Sequence, residues 1–290
     1  MTQSPSRRAV LGALGAAAAV AALPGTASAT GGGWHGRRVP RESISIQLYT
    51  LRGIIGDNPA PVLEALADIG YRKVELAGTY GRTAEEFAKL LRRYRISATS
   101  THVGIDGDLN KVVADAKALR NKYVVVPYLV SDQLSYWQDA ADQMNAEAAI
   151  ARRYGLRYGY HNHAHEFTTD LGRGVTPWEV LTERLDPRLV HLEVDLYWAY
   201  TGGVNTGAAD PDQFAIDVIR EAPQKVRQFH VKDRDAATGD MCDLGTGVVD
   251  FPRIFRSHEV EEYIVENDTP DVTPLTTAAV GHLYLDHVEY

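Results

Sequence analysis

From Ile44 onward, short apolar β-rich runs alternate with longer segments whose apolar residues recur at helical spacing. Eight runs read as strands: Ile44–Tyr49, Arg72–Leu76, Ser97–Thr101, Tyr123–Pro127, Arg157–His161, Val190–Asp195, Val226–Val231 and Glu262–Glu266. The continuously apolar Tyr123–Pro127 is of the kind found in buried parallel strands. Asn58-Pro59 opens a helix through Leu63, Leu66 and Ile69 that Gly70 closes. Thr83 with Glu86 three residues on predicts a capping box, and Phe87, Leu90 and Leu91 give that helix its apolar side. Further helices read over Leu109–Leu119, Tyr136–Tyr154, Pro177–Leu185, Pro211–Glu221, Phe251–Ser257 and Pro274–Val288. Strict alternation implies βαβ units and a parallel sheet. Eight units in one domain favour a closed (β/α)8 TIM barrel over an open doubly wound sheet. No Gly-x-Gly-x-x-Gly follows the first strand, so a dinucleotide fold has no support.

Residues 1–29 read as an export signal rather than as fold. Arg7-Arg8 precedes an Ala-rich apolar run from Gly12 to Leu23, and Ala27-Ser28-Ala29 offers a small-residue cleavage site. This is the twin-arginine pattern, and the expected address is extracellular or the cell envelope. The run is too short and Ala-rich for a stable membrane span. Residues 30–42 read as a flexible leader and 43–290 as one barrel domain. The formal charge is −8, and removing a leader with two arginines and no acid makes it more negative still. That balance excludes the basic face of a nucleic-acid binder. A lone cysteine, Cys242, excludes an internal disulfide.

In such a barrel the active site lies at the C-terminal ends of the strands. The first strand ends in Gln47 and the second carries Glu75. The third runs into His102, and the fifth delivers His161 and, two residues on, His163. The sixth presents Glu193 and Asp195 on one face, the seventh His230 and Lys232, and the eighth Glu266. Charged groups are costly inside a barrel unless paired or bound to metal. A rim of imidazoles and carboxylates suits a divalent cation of mixed N/O ligation. Asp195, His230 and Glu266 are the expected ligands, with His161 or Glu166 as the fourth. Proton abstraction would fall to His163, Glu166 or Glu193. Lys232, beside a cation, would have a depressed pKa and act on a substrate oxygen. Gln47, Glu75, His102 and Trp198 are candidate substrate contacts.

His161-Asn162-His163-x-x-Glu166-Phe167, Leu192-Glu193-Val194-Asp195-x-Tyr197-Trp198, His230-Val231-Lys232-Asp233 and Ile264-Val265-Glu266-Asn267-Asp268 together resemble the sugar phosphate isomerase/epimerase group of xylose isomerase-like barrels. Ile46–Arg52 and Val74–Gly78 resemble that group's first two strands, so the likeness runs from Ile44 to Asp268. It implies Mn²⁺, Zn²⁺, Mg²⁺ or Co²⁺ held by Glu, Asp, His and Glu from the fifth to eighth strands. The last three fall on Asp195, His230 and Glu266. At the first, this chain has His161 where Glu is usual.

The expected function is a metal-dependent sugar isomerase or epimerase. It would remove a proton beside a carbonyl through a metal-stabilised enediolate. A non-phosphorylated sugar or keto-sugar is favoured, since sugar phosphates are scarce outside cells and Arg234 is the main phosphate-gripping candidate. The alternatives are a lyase or dehydratase on keto-sugars, keto-glycosides or inositol-type polyols, and a non-catalytic carbohydrate-binding barrel. An apurinic endonuclease would need a basic DNA track, which the acidic balance argues against. Partners are a small sugar or polyol, with self-association into a homo-oligomer left open.

Overall fold

The computed structural model describes residues Gly36–Tyr290, apart from Asp106. The export-signal reading of residues 1–29 and the leader as far as residue 35 lie outside the described residues.

Eight parallel strands form one sheet: β1 (Ile44–Ile46), β2 (Lys73–Leu76), β3 (Ser97–His102), β4 (Tyr123–Val126), β5 (Arg157–His161), β6 (Val190–Asp195), β7 (Val226–Val231) and β8 (Glu262–Val265). β2 to β7 pair in sequence, β8 pairs with β7, and β1 pairs with β8. A parallel bridge between Gln47 and Glu75 joins β1 to β2 and closes the ring. The longer helices are α1 (Ala60–Ile69), α2 (Ala84–Arg93), α3 (Leu109–Leu119), α4 (Leu134–Arg153), α5 (Pro177–Arg184), α6 (Leu196–Thr206), α7 (Pro211–Glu221), α8 (Phe251–Ser257) and α9 (Pro274–His287), with single turns at Arg52–Ile55 and His165–Thr168. Among the described residues no helix is long and apolar enough to cross a membrane.

Period-2 alternation divides each strand between two environments. Val124 and Val126, Tyr158 and Tyr160, Leu192 and Val194, and Phe229 and Val231 join the apolar layer between strands and helices. The intervening residues turn inward, and much of the lumen is polar and buried: Gln47, Glu75, Ser100, His161, His191, Glu193, Gln228, His230 and Glu262. Gly159 is required by this filling, because a Cβ there would lie 2.5 Å from the His191 ring.

The expected first strand stops early. The chain leaves the sheet after Gln47, whose side-chain oxygen accepts the Tyr49 N–H (3.0 Å) and caps a 3-10 turn over Leu48–Leu51. Thr83 and Glu86 make the expected capping box. The sequence pattern missed α6, a helix capped by Asp195. The part of the leader within the described residues is held: Arg37 and Tyr290 exchange two backbone hydrogen bonds of 2.8 Å. Arg38 and Arg41 pair with Glu289 and Asp286.

Candidate metal centre and catalytic cavity

The C-terminal ends of the strands surround a cavity of about 550 Å³. Its wall includes Tyr49, His102, Tyr128, His161, His163, Lys232, Glu266 and Asp268. Asp195, His230 and Glu266 come from β6, β7 and the end of β8. One donor atom from each lies within 4.8 Å of the others. All three are buried, so three groups far apart in sequence meet at one point inside the mouth.

Each donor is aimed by its own element. Asp195 Oδ1 accepts the Trp198 N–H (2.9 Å) as the N-cap of α6, which leaves Oδ2 to face the barrel axis. Asn162 fixes the height of this carboxylate: its Oδ1 accepts the Asp195 N–H (3.0 Å), tying the end of β5 to that of β6. His230 Nδ1 lies 2.7 Å from Glu266 Oε2, and His161 Nε2 lies 3.7 Å from Asp195 Oδ2.

The Lys232 ammonium sits among three carboxylates: Asp195 Oδ2 at 2.9 Å, Glu266 Oε2 at 2.7 Å and Asp268 Oδ2 at 3.1 Å. The depressed pKa was expected beside a cation; the three carboxylates by themselves act the other way. Burial lowers it, but the charges of Asp195, Glu266 and Asp268 outweigh burial and hold Lys232 well above its ordinary value. Lys232 therefore keeps its proton and its charge. Burial raises Glu266, but Lys232 and His230 oppose it, and the balance holds its carboxyl below the usual range. Burial dominates at Asp195 and pushes it up to about 6.

His163 has the opposite character. Burial, with Lys232 adding to it, pushes its pKa down to about 3, so the ring is neutral. Its Nδ1 is buried and has no hydrogen-bond partner. The ring packs against Tyr128, His161 and Trp198 at centroid distances of 4.9, 5.1 and 5.4 Å.

Beneath the mouth lies a second tier. Glu193 Oε1 is 3.0 Å from His102 Nε2, 3.2 Å from His161 Nδ1 and 3.1 Å from His230 Nε2. Glu75 Oε2 is 2.6 Å from His230 Nε2 and 2.9 Å from Gln47 Nε2. Burial raises the Glu75 carboxyl, but the facing His102 and His230 overcome this and hold it well below its ordinary value.

The expected site residues thus separate by place. His102, His161, His163, Lys232 and Glu266 line the cavity, while Asp195 and His230 stand just behind it. Gln47, Glu75 and Glu193 are fully buried, so the first two face side chains rather than an incoming sugar, and Glu193 lies too deep to serve as a base. Trp198 flanks His163 and lies 5.8 Å from the Lys232 ammonium. Glu166, expected as a ligand or base, joins neither cluster. Its two oxygens accept the Tyr160 hydroxyl (2.6 Å) and the His163 N–H (2.8 Å), so it braces the turn that carries His163. Tyr49, which shares a strand face with Gln47 in the sequence pattern, also lines the cavity, while Tyr128 and Asp268 were not expected there. Tyr128 follows the fourth strand by two residues, and that strand's end offers no charged side chain to draw notice.

The donor set fits a divalent cation. It combines imidazole nitrogens with carboxylate oxygens, and Asp195 Oδ2 is buried without a hydrogen-bond donor of proper geometry.

A closed eight-stranded barrel with a mixed imidazole–carboxylate mouth defines a broad class of α/β enzymes. A model of the xylose isomerase-like TIM barrel family matches residues 63–259, and the chain belongs to that family. Inosose dehydratase of Bacillus licheniformis is 25% identical over 193 residues, which span 58% of each chain. A sugar phosphate isomerase/epimerase from Parabacteroides distasonis superposes with a TM-score of 0.71 at 21% identity, over 85% of this chain and 94% of its own. The IolI protein, solved with a zinc atom, superposes with a TM-score of 0.62 at 15% identity, over 83% and 96%.

Proposed function

We propose that the chain is a divalent-metal-dependent sugar isomerase or epimerase that removes a proton next to a carbonyl of a neutral sugar or keto-sugar. The carrying observation is the meeting of Asp195, His230 and Glu266 beside a cavity walled by His163 and Lys232. Those three and His161 would hold the cation. Bound there, it supplies a Lewis acid for a carbonyl and the neighbouring hydroxyl.

The chain's own residues supply the proton transfers. His163 and Lys232 line one cavity, and their surroundings push their pKa values in opposite directions. Such a separation marks a base and an acid. His163, neutral at the cavity wall, takes the proton from carbon. Lys232 donates toward the oxygen on which negative charge grows.

The wall favours a neutral substrate. Among the described residues that line the cavity, Lys232 is the sole lysine and there is no arginine, and three carboxylates surround it. Arg52 at the rim is committed to the Tyr49 and Asp268 carbonyls. The cavity wall among the described residues therefore offers a phosphate no free arginine and no second lysine. The export reading of residues 1–29 agrees, since free sugars are the form met outside a cell.

A second reading is elimination of water from a keto-polyol, favoured by the likeness to inosose dehydratase. There His163 would take the same proton and Lys232 would protonate the departing hydroxyl. Incubating metal-replete protein with a keto-sugar and keto-inositol panel in D₂O tests both. Deuterium entry beside the carbonyl with an isomeric product supports isomerisation, and loss of water supports elimination. No exchange on any member, with His163→Ala indistinguishable from wild type, would sink the proposal.

A further inference from the structure

Two histidines stand between the tiers of the barrel mouth, and each turns one nitrogen to each tier. His161 presents Nε2 toward Asp195 and Nδ1 toward Glu193 (3.2 Å). His230 presents Nδ1 toward Glu266 (2.7 Å) and Nε2 toward Glu75 (2.6 Å) and Glu193 (3.1 Å). A neutral imidazole has one lone pair and one N–H, so it can serve a cation on one side only. Which side is fixed by what sits below.

The lower tier is built to accept protons. Gln47 begins the chain of constraints. Its Oε1 is committed to the Tyr49 N–H (3.0 Å), so its amide must turn N–H groups toward Glu75 Oε2 (2.9 Å) and His102 Nδ1 (3.4 Å). A donor facing His102 Nδ1 favours the proton on His102 Nε2, which lies 3.0 Å from Glu193 Oε1 and 3.2 Å from Glu75 Oε2. His102 Nε2 is then a donor and has no lone pair for a metal. The two carboxylates likewise call for N–H groups from His161 Nδ1 and His230 Nε2. Both lone pairs are left on the upper side.

The backbone is shaped for the same tray. The strand register shifts between Val74 and Glu75, and again between Leu192 and Glu193. Such irregularities re-aim the side chain that follows. Both fall immediately before the tray carboxylates, Glu75 and Glu193.

We infer that Gln47, Glu75, His102 and Glu193 form a proton-accepting tray that fixes the tautomers of His161 and His230, so that a cation is ligated by His161 Nε2 and His230 Nδ1. These four are positioning residues, and the tray binds no cation of its own. This rests on the proposed ligand set and deepens it. Carboxylates behind a metal-bound histidine typically govern affinity by 10- to 100-fold.

Zn²⁺ affinity by chelator competition, metal-to-chain stoichiometry, and ¹⁵N spectra of the histidine rings of the Zn²⁺-loaded full chain form the test. Wild type is expected to bind one ion, with coordination shifts at His161 Nε2 and His230 Nδ1. Glu75→Gln and Glu193→Gln, folded by near-ultraviolet circular dichroism, are expected to bind about 10- to 100-fold more weakly. Asp195→Ala is the control for the ligand set. If it abolishes binding while both Gln variants match wild type, the tray falls and the ligand set stands. If Asp195→Ala binds as tightly as wild type, the ligand set fails and the tray with it. Two ions per chain, reduced to one by His102→Ala, would show that the lower tier is itself a metal site. The wild-type spectra need no variant, so misfolding leaves the inference exposed: coordination at His161 Nδ1 or His230 Nε2 overturns it.

Discussion

The Lys232 ammonium lies 2.9 Å from Asp195 Oδ2, the oxygen that the cap of α6 leaves free for the barrel axis. It is also 2.7 Å from Glu266 Oε2. Lysine and a divalent cation therefore draw on the same two oxygens. Lys232→Met should bind Zn²⁺ or Mn²⁺ about tenfold tighter or more, the scale set by a unit charge a few ångströms away in a protein interior. The same variant should lose about 10²- to 10⁴-fold in kcat, because the proton donor is gone. Chelator competition and steady-state kinetics measure the two effects separately. Unchanged affinity would mean that Lys232 does not share the ligands.

Glu166 supports His163 rather than the cation. Its two oxygens accept from the Tyr160 hydroxyl and the His163 backbone N–H, in a pocket closed to solvent. Glutamine keeps the shape but turns one N–H toward a donor. The expected loss is about 1–3 kcal/mol of unfolding free energy, the cost of a buried polar group left unpaired. Metal content should be unchanged while kcat falls, since the turn bearing His163 loosens. Loss of bound metal in a folded Glu166→Gln protein would return Glu166 to the ligand set.

Local signals were legible in the sequence, and so was the barrel. The Thr83–Glu86 capping box, the bounds of Leu109–Leu119 and the alternation within Val190–Asp195 depend on neighbours in the chain, and each reappears in space. Strand-end alternation was enough to bring Asp195, His230 and Glu266 together. Depth was not legible. Glu75 and Glu193 share a rim pattern with the mouth residues, but register shifts beside them and the closing Gln47–Glu75 bridge are properties of paired strands. The pull of the carboxylates on the Lys232 pKa was not legible for a related reason. Its direction depends on Asp195 and Asp268, one 37 positions before it and one 36 after, in a shared pocket. Helix α6 was missed because its Gly202-Gly203 pair weakens the helical pattern, while in space Gly202 admits the Phe167 ring.

Tyr128 fills the gap that the fourth strand leaves in the polar rim. It lines the cavity, remains 51% exposed, and meets His163 edge-on at 4.9 Å. An exposed ring over a polar cavity is suited to the C–H face of a sugar. Tyr128→Ala should raise KM by roughly 2- to 10-fold with kcat little changed, consistent with about 0.5–1.5 kcal/mol for an aromatic contact. Tyr128→Phe should restore KM, because the ring carries the effect. A drop in kcat with constant KM would instead place the tyrosine in the chemistry.

The opposite end of the barrel sets a pH limit on stability. Glu262 is buried in the lumen, where its oxygens face the Thr99 hydroxyl and the Gln228 amide. Burial pushes its pKa from the ordinary 4.5 up to about 7, with Thr99 and Lys73 offsetting only part. The folded chain thus holds this proton more tightly than the unfolded chain does. The resulting stabilisation is complete below about pH 4.5 and is lost as pH rises through about 7. At roughly 1.4 kcal/mol per pK unit it amounts to about 3 kcal/mol. Protonated Glu262 has a hydrogen to donate, and the Gln228 amide can turn to accept it. Gln228 would then offer an N–H to His191, whose ring burial holds neutral with a pKa of about 4. Glu262→Gln mimics that protonated state at every pH. Its stability relative to wild type should therefore rise between pH 5 and pH 8 by up to about 3 kcal/mol. Urea unfolding of the two proteins at matched pH measures the difference, in which the other titrating groups cancel. A difference that stays flat with pH would mean that Glu262 ionises in the folded barrel at its ordinary value.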